Sequence, residues 1–262
     1  MAYEQMLVPV LEKQALAKNI YRMVLQCRSI AQQAACGQFV HLLPVGCTLR
    51  RPISICEINK AAGTLTIVFE VKGTGTDALA NVRVGENVDI LGPLGHGFTI
   101  LPEAKHVVVV GGGIGNPPML SLAQVYGERA TAICGFRSAN IATLQDEFHA
   151  SGAETILCTD DGTAGRQDLV TEPLKEQLAK GDVDMVYACG PRPMLKFVAA
   201  AAMLHAVYEA SETSGQFSFE ERMGCGIGAC LVCACQLERE GKSVMGHVCK
   251  DGPVFPAEEV VW

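Results

Sequence analysis

The sequence predicts a small antiparallel barrel, then a parallel α/β sheet, then a cysteine-rich appendage, and three observations predict it. Residues 1 to about 100 hold short runs of β-branched and aliphatic residues separated by glycine turns, the pattern of a small barrel. From about residue 102 near-continuous apolar strands alternate with helical patterns, which implies a parallel sheet covered on both faces. From about Gly215 the alternation stops, and cysteines crowd a glycine-rich loop. The expected segments are therefore 1–101, 102–212 and 213–262.

In the first segment the expected strands are 19–27, 38–43, 52–56, 64–71 and 87–91, punctuated by Gly37, Gly63, Gly85 and Gly92-Pro93, with a short helix over 76–82. In the second, strands at 106–111, 130–135, 154–158 and 185–189 alternate with helices at 117–126, 144–150, 168–179 and 193–207. The chain has 262 residues, of which 49% are hydrophobic, enough for two small domains and an appendage. A net charge of -7 argues against a general nucleic-acid binder. No apolar run approaches ~18 residues, so no membrane span is expected. The N-terminal Met1-Ala2-Tyr3-Glu4-Gln5 has no basic and apolar leader pattern, so a cytoplasmic protein is expected.

The strongest chemical signal is the spacing of Cys225, Cys230, Cys233 and Cys249, which reads C-x4-C-x2-C-x15-C. This is the plant-type ferredoxin spacing for a [2Fe–2S] cluster held by four thiolates. Gly226 and Gly228 give the loop the backbone freedom to turn N–H groups toward the cluster. Structural zinc is the alternative, but zinc sites pair their cysteines as two knuckles, whereas three thiols here share one loop. Cys235 is a spare, expected to pack as a small hydrophobe. Of the 12 cysteines, seven others are scattered singly through apolar runs, the usage of a reducing compartment rather than a disulfide framework.

Gly111, Gly112, Gly113 and Gly115 lie where the first parallel strand hands over to a helix opened by Pro117. They do not fit G-x-G-x-x-G, yet the physics is shared: glycines bring the backbone close to a pyrophosphate at a helix N-terminus. A tight turn without ligand is the alternative, and it would need fewer glycines. Cys189-Gly190-Pro191 ends the fourth parallel strand at the same sheet edge. Asp160-Asp161 ends the third, either to bond ribose hydroxyls or as a solvated turn. Arg137-Ser138 follows the second, either to meet a 2′-phosphate or as an ordinary turn. In the barrel, Arg51 offers a forked cation for a phosphate and Ser54 a hydroxyl for a flavin ring nitrogen. Gly75 and Thr76 belong to another phosphate-compatible turn.

Taken together, Arg51-Pro52-Ile53-Ser54, Gly75-Thr76, the loop 111–115, Cys189-Gly190-Pro191 and the run 221–230 resemble the ferredoxin–NADP reductase superfamily. The tail 248–255 narrows the resemblance to the family of electron-transfer subunits of NAD-dependent dihydroorotate dehydrogenase. Ile53 stands where many wider relatives have an aromatic residue. The resemblance implies a ferredoxin reductase-like fold: a flavin barrel, an NAD-binding α/β domain and a cluster domain. It implies FAD on Arg51, Pro52, Ile53, Ser54, Val68, Phe69, Glu70, Gly75 and Thr76, and NAD as substrate at the glycine loop. It also implies an FMN-containing catalytic partner that oxidises dihydroorotate for pyrimidine biosynthesis, in a heterotetramer of two plus two. A flavin and iron–sulfur NAD(P)H reductase subunit of another complex, such as a transhydrogenase or a sulfide- or hydrogenase-type enzyme, shares every motif but the tail. A metal-stapled interaction module is the non-enzymatic alternative. On the cluster loop, Ile227 and Ala229 are expected to point outward to a partner, and Leu231 and Val232 inward.

Overall fold

The computed structural model describes residues 3–208 and 214–262. The chain first forms β1 (Glu4–Ala17), β2 (Ile20–Gln26), α1 (Arg28–Gln33), β3 (Phe39–Leu43), β4 (Arg51–Asn59), β5 (Thr64–Glu70), α2 (Thr74–Asn81) and β6 (Asn87–Leu94). The six strands close into a barrel in the order β1-β2-β5-β4-β3-β6. Alternate residues fill it: Val40 and Leu42 of β3, Leu65, Ile67 and Phe69 of β5, and Val88 and Ile90 of β6 share one core. The long β1 was not among the expected strands. Its outward Leu7 and Leu11 are as apolar as its inward Val8 and Val10, so the period of two that marks a half-buried strand is erased.

The second layer system is built from β7 (Val107–Gly112), α3 (Asn116–Tyr126), β8 (Ala130–Phe136), α4 (Gln145–Ala150), β9 (Glu154–Thr159), α5 (Thr171–Leu178), β10 (Met185–Cys189) and α6 (Arg192–Tyr208). After it come β11 (Ser214–Ser218), β12 (Ala234–Arg239), β13 (Lys242–His247) and β14 (Val254–Pro256). The sheet order is β14-β11-β10-β7-β8-β9. All neighbours are parallel except β11 and β14. The chain winds outward from β7 through β8 to β9, then crosses back to lay β10 on the other side of β7. That reversal places a crevice at the carboxyl ends of β7 and β10, where ligands dock in such sheets.

The expected boundary at 212–213 lies outside the described residues, and the expected boundary at 101–102 falls in the connection between β6 and β7. Strands β11 and β14, from the range 213–262, extend the sheet of the second segment, while β12 and β13 form a separate hairpin. The α3 helix is the joint between barrel and sheet. Its Met119 and Leu120 share a core with Cys56 and Val68 of the barrel and with Val107 and Val109 of β7. A third core joins Phe39, Leu91 and Leu94 on the outside of the barrel to Phe217, Val248 and the thiols Cys233 and Cys249. The cluster segment therefore packs on the outer face of β3 and β6.

Candidate functional site

The cysteine loop folds around its own sulfurs. Gly226 and Gly228 have φ of 75° and 81°, conformations that side chains disfavour, and they turn successive N–H groups inward. The N–H groups of Ile227, Ala229 and Cys230 donate to Cys225 Sγ at 3.4, 3.2 and 3.4 Å, and that of Gly228 donates to Cys249 Sγ at 3.1 Å. Burial pushes the Cys225 thiol up, but these donors and the Cys230 thiol outweigh it and bring its pKa down to about 6. Burial and the adjoining Cys233 raise that of Cys249.

The four thiols fall into two pairs. Cys225 and Cys230 exchange backbone-to-sulfur hydrogen bonds, while Cys233 Sγ lies 3.2 Å from Cys249 Sγ. Among the described residues no three His, Cys, Asp or Glu side chains converge as ligands of a single ion. Two thiol pairs, each able to serve one iron, match a two-iron cluster and do not match zinc, which draws four ligands onto one centre. Cys235 is half-buried on β12, with its Sγ facing Gly246, and packs against the core that holds Cys233 and Cys249. One expectation is overturned. Leu231 and Val232 do not pack inward; they are 57% and 59% exposed, because Leu231 takes a positive φ of 59° that swings the loop exit outward. With Ile227, at 38%, they make an apolar rim around the exposed Cys230.

The barrel residues meet at a seam. Arg51 to Ser54 of β4 pair with β3, and Val68 to Glu70 of β5 pair with β2. The two strands pair with each other only from Ile55 and Ile67 onward, with a register shift between Ile55 and Glu57. The facing main-chain edges of 51–54 and 68–70 thus make no ladder with one another, and they offer donors and acceptors for a planar polar ring. The Arg51 guanidinium donates to the Leu49 and Arg50 carbonyls at 2.8 and 3.1 Å and lies against Gly75 at the start of α2. A cation and a helix N-terminus therefore point at one place, as a pyrophosphate requires. Thr76 accepts from the N–H groups of Lys72 and Gly73, which fixes that turn. Phe69 is buried in the barrel core, so it offers only its main chain at the seam, while Ile53 is half-buried against the same core. These residues fit a flavin dinucleotide.

A cleft of about 750 Å3 opens between barrel and sheet, lined by Gly112, Gly113, Gly115, Gly190, Pro191 and, from the barrel, Glu70. Gly111 and Cys189, paired across β7 and β10, are buried and are not among its lining residues. At Gly115 a side chain is impossible, since a Cβ would come 2.3 Å from the Cys189 carbonyl oxygen. Pro117 and Pro118 in the first turn of α3 have no N–H, so the donors at this edge belong to the glycine loop itself rather than to the helix. Of the two aspartates, Asp160 lines the cleft, whereas Asp161 accepts from the N–H and hydroxyl of Thr163. Arg137 lines it too, while Ser138 bonds to Asn140. Sequence reasoning missed Ile20, Leu169, Phe197 and Glu220, which share this cleft although they are far apart in the chain, and Lys72, which opens the turn 72–76 expected to suit a phosphate, joins them there. Glu220 stays open to water, yet the crowded walls raise its pKa, against the pull of Lys72.

His41, in the middle of β3, was also missed. It is fully buried, and neither ring nitrogen meets a partner at hydrogen-bond geometry. Burial lowers its pKa to about 4, against a weaker opposite pull from the Cys225 main chain.

Residues 220–261 match the family described as the iron–sulfur cluster binding domain of dihydroorotate dehydrogenase B. A Bacillus cereus (strain AH187) protein is 40% identical over 264 residues, 96% of each chain, and is named dihydroorotate dehydrogenase B (NAD(+)), electron transfer subunit. A Bacillus anthracis (strain A0248) protein of the same name matches to the same extent. Among solved structures, an NADH-dependent reduced ferredoxin-NADP oxidoreductase, studied for flavin-based electron bifurcation, superposes with a TM-score of 0.84 at 26% identity. That match covers 98% of this chain and 90% of the other. A ferredoxin NADP+ reductase from Neisseria gonorrhoeae shares the fold, with a TM-score of 0.66 at 15% identity over 83% of this chain and 99% of that one.

Proposed function

The chain belongs to the family of electron-transfer subunits of NAD-dependent dihydroorotate dehydrogenase B, and from that footing we propose how its residues do the work. It is the subunit that links dihydroorotate oxidation, carried out on a catalytic partner subunit, to the reduction of NAD+. When bound, the [2Fe–2S] cluster supplies single-electron transfer and FAD supplies the exchange between single electrons and a hydride. We assign the cluster to Cys225, Cys230, Cys233 and Cys249. FAD is assigned to Arg51, Pro52, Ile53, Ser54, Val68, Phe69, Glu70, Gly75 and Thr76, and NAD to Gly111, Gly112, Gly113, Gly115, Cys189, Gly190 and Pro191. The partner is taken to carry FMN, in an assembly of two plus two, in the cytoplasm. Among the described residues no helix is long and apolar enough to cross a membrane.

The observation that carries this reading is the burial gradient of the thiols. Cys230 is exposed within an apolar rim, whereas Cys233 and Cys249 are buried in the core shared with the barrel. One edge of the cluster loop thus faces a partner and the other faces the seam. The chain's residues hold the loop, orient the flavin by main-chain edges and by the Arg51 cation, and close the cleft around the dinucleotide. The likeness to an NADH-dependent ferredoxin-NADP oxidoreductase keeps a second reading, an NAD(P)H reductase subunit of another complex. Purification of the chain with its native partner tests both. A partner that makes the assembly reduce NAD+ with dihydroorotate supports the first, and a nickel or multi-cluster partner supports the second.

A further inference from the structure

We propose that His41 is the positioning residue that couples the cluster loop to the flavin seam, an inference that rests on the cofactor assignments above. Its place in the fold is the first ground. Phe39 and His41 project from the barrel's outer face, their rings 6.5 Å apart and edge to face. Phe39 shares a core with Cys233, Cys249 and Leu94. The register partner of His41 is Pro52, and that of Phe39 is Ser54. Paired residues of neighbouring strands lie on the same face, so His41 has the cluster loop on one side and the flavin strand on the other.

The loop is shaped to this ring. Gly226, with φ of 75°, brings its backbone so close that a Cβ there would stand 2.5 Å from His41 Nδ1 and 3.2 Å from Leu94. Packing alone does not account for a histidine at this point. A buried polar ring without a partner is less favourable than a leucine of similar size, and both nitrogens of His41 lie in that state. A neutral imidazole keeps one N–H at all times, and here Nδ1 lies against the backbone of Gly226, the residue after Cys225. Hydrogen bonds to cluster sulfurs set the cluster's potential, and the packed ring fixes the distance to the seam. In each transfer one electron leaves the donor carrier and arrives on the acceptor. His41 neither gains nor loses an electron or a proton; it holds the two sites in register.

The test compares His41→Leu and His41→Asn with the wild-type chain carrying both cofactors. The readouts are the paramagnetic spectrum of the reduced cluster, its midpoint potential and the rate of cluster reduction after rapid mixing with NADH. His41→Leu is expected to lower the potential, alter the spectrum and slow the cluster phase by about tenfold or more, as misplacement of reacting groups does. FAD content and the rate of flavin reduction should hold. His41→Asn, which keeps an N–H at the position of Nδ1, is expected to recover most of each. Loss of the cluster from the leucine variant alone also supports the role. A leucine variant equal to wild type in spectrum, potential and rate overturns it. So does loss of the cluster from both variants, which reduces His41 to structural support. If wild type itself takes up no cluster or no FAD, the cofactor assignment fails instead.

Discussion

Gly75→Ala separates the flavin site from the stability of the fold. Gly75 is the second residue of α2, buried, and its φ is not in the left-handed region. A Cβ there would come 2.2 Å from Arg51 Nε, 2.4 Å from Cζ and 2.5 Å from one terminal nitrogen. Those atoms end a flexible side chain, so the fold relieves the clash by moving the guanidinium, and the backbone stays where it is. Alanine in a helix is favoured over glycine by up to about 1 kcal/mol, so the protein without flavin should melt no lower than wild type. The displaced cation, however, loses its phosphate contact. A hydrogen bond to a charged group contributes about 1.5–3 kcal/mol, so FAD should bind about tenfold to a hundredfold more weakly. Titrating deflavinated protein with FAD and following flavin fluorescence measures this. Arg51→Ala should show a similar loss, and the double variant little more than either alone, because both act on one contact. Wild-type FAD affinity in Gly75→Ala would refute the reasoning, and so would losses that add in the double variant.

Serine in place of Cys225, Cys230, Cys233 or Cys249 should abolish the visible cluster absorption, while Cys235→Ser keeps it; the reverse result for Cys233 and Cys235 would overturn the ligand set. The purified chain with its cofactors should oxidise NADH with artificial acceptors and leave dihydroorotate untouched. No segment is of the length of an FMN barrel of ~250 residues, and bleaching of the cluster by dihydroorotate without a partner would contradict this. Ile227→Lys and Leu231→Lys place an unpaired charge in the apolar rim. Both should retain FAD, cluster and NADH–dye activity and lose affinity for the catalytic subunit; co-elution at wild-type affinity would show that docking lies elsewhere.

The elements most legible in the sequence were those with one dominant signal. The strands at 107–112 and 185–189 are buried on both faces and read as apolar runs. The helix Asn116–Tyr126 was foreseen from Pro117 onward, although the burial of every residue from Asn116 to Ala123 between barrel and sheet was not. The exit of the cluster loop misled, because Leu231 and Val232 look like core residues in sequence and the positive φ at Leu231 carries no residue signature. The hairpin β12–β13 was missed for a similar reason: Val244 and Met245 are exposed, which blurs the alternation. At the sheet edge, the glycine loop was legible. Which of Asp160 and Asp161 faces the cleft was not, since the answer depends on Thr163 capturing one of them.

By itself the sequence determined the cysteine spacing, the order of barrel, parallel sheet and cluster segment, and the glycines at the sheet edge. These are local properties, set by spacing along one strand of chain and by what a missing side chain permits. Only the tertiary structure decided that β4 and β5 part company at residues 51–54 and 68–70, and that β11 and β14 stitch the cluster segment to the sheet. It alone seated His41 between Gly226 and Pro52, and brought Glu70, Lys72 and Glu220 to one cleft. Those placements follow from strand register and from cores shared by residues as distant in sequence as Ile20 and Val254, which no local pattern encodes.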